Sequence, residues 1–184
     1  TSSSLWKELF VISFDFFDSV FDFTNMSESK YDPLCMRGDE PYKRPYGWMR
    51  FALKVRDKYP DGNDWLGTVG WRDRSSPGET DLKGAEGIIR SHLKARDRQA
   101  FGRGIYSSPD VSVADIFAKS KNFTLQKNGN TYKVIMQNRI NPKKREIKDE
   151  NIWLVPIPEG TPAEKEKEIV KSSIRPYGLL LKKV

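Results

Sequence analysis

The sequence predicts an α+β fold on three observations. Strand-like and helix-like stretches follow one another in no regular order, so a repeating strand–helix–strand unit is not indicated. No internal repeat is present. The chain has 184 residues, the length of one domain or of one domain with an extension, and that is enough to bury a core without disulfides or metals.

Taken in order, LWKELFVISFDFFDSVFDF (5–23) is rich in phenylalanine. Its FVISFDFF portion alternates as a strand does, and the whole run also winds as an amphipathic helix. Left bare it is an aggregation hazard, so it is expected to pack on the body of the protein. Glu8, Asp15, Asp18 and Asp22 interrupt it, which argues against a membrane span; with no basic n-region beside it, the run does not read as a secretory signal. TNMSESKYDPLCMRGDEPYKRP (24–45) reads as a polar linker broken by Pro33, Gly38, Pro41 and Pro45. This divides the chain near residue 40, into an N-terminal aromatic-rich extension and linker (1–40) and a main domain (41–184).

In the main domain Met49, Phe51, Leu53 and Val55 alternate with Arg50, Ala52 and Lys54, a strand with one wet face. Pro60 and Gly62 predict a turn, and GTVGWRDRSSPGE (67–79) a loop. TDLKGAEGIIRSHL (80–93) predicts a helix capped by Thr80 or Asp81, with Leu82, Ile88, Ile89 and Leu93 on its apolar side. Around FGRGIY three glycine or proline punctuators flank one aromatic ring, the mark of a shaped backbone. A short helix follows, with Ser112 as cap and Ala114, Phe117 and Ala118 facing inward. Asn128-Gly129 makes a turn into a strand over 132–140, a charged connection follows, and IWLVPI (152–157) is a strand. The stretch 159–173 is a helix with Thr161 as cap and Pro162 at its first position, and IRPYGLLLKK (174–183) is the last strand.

Charge and composition narrow the chemistry. The net charge is +7, but residues 1–40 carry three basic against eight acidic side chains, net −5, leaving +12 on residues 41–184. A basic body favours polyanionic partners, although a lysine-rich solvated surface accounts for the same excess and no zinc-finger or RNP-type motif accompanies it. One cysteine, Cys35, and one histidine, His92, exclude an internal disulfide and a structural zinc site, so no metal is expected. Cys35 reads as a passive thiol and His92 as a mid-helix packing or surface residue. The single cysteine points to an intracellular setting, cytoplasmic or nuclear. No G-x-S-x-G elbow, P-loop or kinase motif set occurs.

Glycine, Ile105 and Tyr106, a serine-rich turn and a short alanine-containing helix resemble the centre of the ADP-ribosyltransferase domain of poly(ADP-ribose) polymerases. The upstream helix GAEGIIRSHL, the strand YKVIMQNRI and the ending NIWLVPIPEG…IRPYGLLLKK extend the resemblance over residues 65–184. It implies a core of two small, largely antiparallel sheets with flanking helices, and NAD as co-substrate in the cleft between them. The nicotinamide would stack on Tyr106 and be sandwiched by the ring at Phe117, with Gly104, Ile105, Ser107 and Ala114 lining the site. Transfer would break the glycosidic bond through an oxocarbenium-like ribose, by positioning and electrostatic stabilisation.

The sequence departs from the family at three positions. No His-Gly pair occurs anywhere, and SSPGETDLKG stands where it is expected. Ala114 replaces the hydroxyl eight residues after Tyr106. Asn151 occupies the place of the late-strand glutamate and carries no negative charge. The resemblance therefore implies an impaired or inactive transferase, limited to mono-transfer, onto an unidentified protein or nucleic-acid acceptor. The alternative is a non-catalytic binding module that engages nucleic acid through its basic surface.

Overall fold

A computed structural model of the chain describes residues 16–24, 35–37, 40–67, 70–76, 82–95, 100–118, 123–124 and 128–184. It is an α+β arrangement in which every strand pairing described is antiparallel. The strands are β1 (Phe23–Thr24), β2 (Cys35–Arg37), β3 (Glu40–Tyr42), β4 (Met49–Ala52), β5 (Arg72–Ser76), β6 (Gly104–Ser107), β7 (Phe123–Thr124), β8 (Thr131–Ile140), β9 (Glu146–Asp149), β10 (Ile152–Pro156) and β11 (Ile174–Lys183). Among the described residues three α-helices join them: α1 (Leu82–Arg90), α2 (Val111–Ala118) and α3 (Ala163–Ser173).

The larger sheet runs β1-β4-β11-β8-β5, with β7 also on β8. The smaller runs β6-β10-β9, and β2 and β3 form a separate hairpin. β8 and β11 lie inside the larger sheet and are buried on both faces, mainly by apolar side chains but with Gln137, Asn138, Arg139 and Arg175 buried among them. Val134, Met136, Leu179 and Leu181 join Ile105, Trp153 and Val155 of the smaller sheet, Ala85, Ile88 and Ile89 of α1 and Val170 of α3 in the main core. Ile135 and Leu180, on the opposite face, pack with Trp48 and with Ala114 of α2.

Segment 16–24 lies along β4. Asp18 N–H donates to Ala52 O at 3.0 Å and Lys54 N–H to Phe16 O at 2.8 Å, Phe17 bridges Leu53, and the Asp22 carboxylate accepts Ala52 N–H at 2.7 Å. Phe17 is buried in the main core. Residues 1–15, where the strand and helix readings of the aromatic run compete, lie outside the described residues.

Two arginines, Arg139 and Arg175, stand opposite each other on β8 and β11. Arg139 donates to the carbonyls of Trp65, Leu66 and Gly67. Arg175 lies over the rings of Tyr59 at 4.1 Å and Trp71 at 4.7 Å and donates to Asp61 Oδ2 at 2.8 Å. Together they clamp the turn predicted from Pro60 and Gly62 onto the sheet.

Several sequence expectations are corrected. The loop expected over 67–79 contains β5, paired with Met136–Ile140 of β8. The charged connection before β10 contains β9, whose four side chains are all exposed. Both are charged strands recruited by backbone pairing, which leaves no apolar alternation in the sequence. Ala52, assigned to a wet face, is buried, because segment 16–24 covers that edge. α1 ends at Arg90, so His92 follows the helix instead of lying within it; Thr80 and Asp81 lie outside the described residues. The cap of α2 is Asp110, whose Oδ1 accepts Ser112 N–H at 2.8 Å and the Ser112 hydroxyl at 2.7 Å. Thr161 does not cap α3: Pro162 holds that position, and the Thr161 hydroxyl donates to Pro158 O at 2.6 Å, closing the preceding turn.

Candidate functional site

The backbone around β6 is shaped, as its glycines predict. Gly102 adopts φ +102°, a conformation that L side chains rarely enter. At Gly104 a Cβ would meet Val155 O at 2.3 Å and Leu154 Cδ1 at 2.6 Å, so only glycine lets β6 close against β10. Their register sets Tyr106 opposite Leu154 and Ser107 opposite Trp153.

Alternation along β6 then divides the candidate residues between two faces. Ile105 and Ser107 lie with Trp153 and Val155, on the side whose apolar members belong to the main core. Tyr106 lies with Leu154 on the other side, and neither belongs to that core. Tyr106 is half-buried. Its hydroxyl donates to Gly102 O at 2.6 Å and accepts Phe101 N–H at 3.1 Å. The phenol is thus pinned by the loop that precedes its own strand, which fixes the plane of the ring. Ser107 is 4% exposed, and its Oγ has no hydrogen-bond partner among the described residues.

The remaining candidates lie on other elements. Ala114 is fully buried against Trp48, Ile135 and Leu180. Phe117 lies in the last turn of α2; its side chain is outside the described residues. Asn151 is exposed in the turn between β9 and β10, and its N–H donates to Asp149 Oδ1 at 3.4 Å. It precedes Leu154, the partner of Tyr106, by three residues, about 10 Å along an extended strand. Tyr106 and Asn151 therefore share one small sheet without touching. The segment where a His-Gly pair is expected, 77–81, lies outside the described residues.

A network that sequence reading missed supports the Tyr106 loop. Arg103, between the two glycines, donates to Glu166 Oε2 on α3 at 2.9 Å and to the carbonyls of Ile157 and Pro158 at 3.3 and 3.2 Å. The other oxygen of Glu166 accepts Ala95 N–H at 3.0 Å. Burial raises the pKa of Glu166, but the hydrogen bonds from Ala95 and Arg103 outweigh it and hold the carboxyl below the ordinary glutamate range. At Asp110, burial is likewise outweighed by hydrogen bonds from Ser112 and the charge of Lys43, and its pKa is lowered. The only sequence signal for the first network is the Arg103 fork itself, because its acceptor lies 63 residues away.

His92 Nδ1 lies 2.8 Å from Ser91 Oγ. No cluster of three or more metal-ligating side chains occurs among the described residues, nor is any helix there long and apolar enough to cross a membrane. No protein-family model matches the chain, and a comparison with curated proteins finds no match.

Proposed function

We propose that the chain is an ADP-ribosyltransferase-type domain that keeps the nicotinamide-stacking position of an NAD site and has lost the groups that drive transfer. The observation that carries this reading is the placement of Tyr106. Its ring lies on the side of β6 turned away from the main core, locked by Gly102 O and Phe101 N–H. A ring so held is pre-organised to stack on a flat heteroaromatic, a contact of about 0.5–1.5 kcal/mol beyond area burial. The order β6, serine turn, α2, β8, β10, α3, β11 also follows the order of elements in the resemblance.

Tyr106 alone supports the nicotinamide stack: Ile105 and Ser107 lie on the core face of β6 and Ala114 is fully buried, and the residues present do not fit the rest of the transfer machinery. A bound NAD supplies the nicotinamide–ribose bond. Asn151 can donate to or accept from a hydroxyl, but it offers no negative charge to a developing cation. Weak or absent turnover follows, with binding retained. Titration calorimetry with NAD tests this, using Tyr106→Ala as control and following nicotinamide release in the same samples. Heat of binding that is lost in Tyr106→Ala, without nicotinamide release, is the expected result. Sustained release by the unaltered chain would make it a working transferase. Absence of binding up to millimolar NAD would overturn the reading.

A further inference from the structure

Four cations from three separate segments lie along α3, together with the chain's one histidine. Lys167 and Lys171 lie one turn apart on the helix. The bond from Ala95 N–H to Glu166 sets segment 91–95 against the same helix, bringing His92 and Lys94 to it. Arg175 donates from Nε to Lys171 O at 2.8 Å while stacking on Tyr59, so Lys58 is drawn to the helix's C-terminal end. Lys58, Lys94 and Lys171 are exposed, and Lys167 and His92 are partly so.

Among the described residues, several of the carboxylates near this cluster are paired with other groups. Glu166 is held by Arg103. Asp61 pairs with Arg175, and Asp57 Oδ1 accepts from the Asn63 amide. Glu164 and Glu168 stand three residues before Lys167 and Lys171 and are their neighbours on the helix surface, although Glu168 pairs with Lys165 at 3.2 Å. Lys171 in the last turn also complements the helix dipole, which explains one lysine and not four. The crowding is felt at the titratable groups. Although Lys58 as a whole is exposed, its ammonium lies 5.8 Å from the centre of the Tyr59 ring; desolvation there, and then Lys171, lowers its pKa. Burial lowers that of His92, with Glu166 pulling against it and Lys94, Lys167 and Lys171 adding to the depression.

We infer that Lys58, His92, Lys94, Lys167 and Lys171 form a docking surface for the phosphodiester backbone of a nucleic acid. A closely spaced row of anions relieves the mutual repulsion of the four ammoniums at once, where a single carboxylate would relieve only one or two. Lysine ammoniums bind phosphate as point charges. No arginine fork belongs to the group, so recognition is of the backbone and not of base sequence. This inference does not rest on the NAD reading, since Tyr106 takes no part in it.

The test is fluorescence anisotropy of labelled mixed-sequence single-stranded RNA, single-stranded DNA and duplex DNA, across a salt series. Neutralising Lys58, Lys94, Lys167 and Lys171 to Gln should weaken binding at least tenfold and flatten the log–log salt slope on a single strand by about 3, at ~0.7 per phosphate contact. A second variant carries Lys143, Lys144, Lys182 and Lys183 to Gln. It removes the same charge from other elements and should change binding much less. Both variants are first shown to melt as the unaltered chain does. By NMR, the His92 imidazole pKa should rise when oligonucleotide is added. Equal loss in both variants, no loss in either, or an unmoved His92 would each overturn the inference. NAD binding should be the same in the unaltered chain and in the Lys58/94/167/171 variant, so this inference and the Tyr106 reading fail separately.

Discussion

Tyr106 illustrates how a side chain can be positioned by the backbone it follows. Its hydroxyl closes a ring back to Gly102 and Phe101, and Gly102 can present its carbonyl there because it tolerates a positive φ. The hydroxyl and the ring therefore have separable roles, which Tyr106→Phe divides. The ring remains, so NAD affinity should stay within a few-fold of the unaltered chain. Two hydrogen bonds to the loop disappear, which should cost about 1–2 kcal/mol of stability and speed amide exchange at Phe101. An affinity loss as large as that of Tyr106→Ala would mean that the hydroxyl, and not the ring face, is what the ligand uses. The glycine punctuation that revealed this position was legible because only glycine satisfies both the φ at 102 and the close approach of β10 at 104.

At the scale of elements, legibility tracked burial. β8, β10 and β11 announce themselves through Val134, Leu154 and Leu179–Leu181, because strands covered on both faces are mainly apolar. β5 and β9 do not: they read as Arg-Asp-Arg-Ser-Ser and Glu-Ile-Lys-Asp, and only the backbone of a neighbour makes them strands. The cap of α2 was misassigned by two residues because Asp110 and Ser112 are both competent, and Asp110 accepts two bonds from Ser112. Least visible was the tie between α3 and the Tyr106 loop, since Arg103 and Glu166 meet only in three dimensions. That tie makes stability depend on pH. The folded-state pKa of Glu166 lies below its unfolded value, so its contribution is fully present above the unfolded value and is lost as pH falls through the folded one. Arg103 and Glu166 are both partly solvated, so Glu166→Gln should destabilise by about 1–2 kcal/mol near neutrality. The gap should shrink as pH falls below the ordinary glutamate range. Urea denaturation of both proteins at neutral and acidic pH measures it. A gap that stays constant would assign the stabilisation to packing instead of charge.

For the whole molecule, one edge of the larger sheet is closed by segment 16–24, which lies along β4 and ends in β1. β4 pairs with β11 on one side and with β1 on the other. Its outer backbone groups meet Asp18 N–H and the Asp22 carboxylate, and the Arg50 guanidinium meets Phe21 O at 2.7 Å. Without the segment, β4 would present an open row of donors and acceptors beside apolar Phe51 and Leu53, a template for pairing with another chain. Burial of Phe17 contributes about 1.5–3 kcal/mol and each hydrogen bond about 1 kcal/mol net, a large part of the 5–15 kcal/mol typical of a domain. Deleting residues 1–24 should therefore lower the melting temperature by several degrees and produce concentration-dependent association. Differential scanning calorimetry and light scattering across a dilution series follow the two effects separately. A lowered melting temperature with no association would show that the segment contributes packing and that the β4 edge is protected by its own charges, Arg50 and Lys54. An unchanged melting temperature would mean that Phe17 and these hydrogen bonds add nothing net to the folded state.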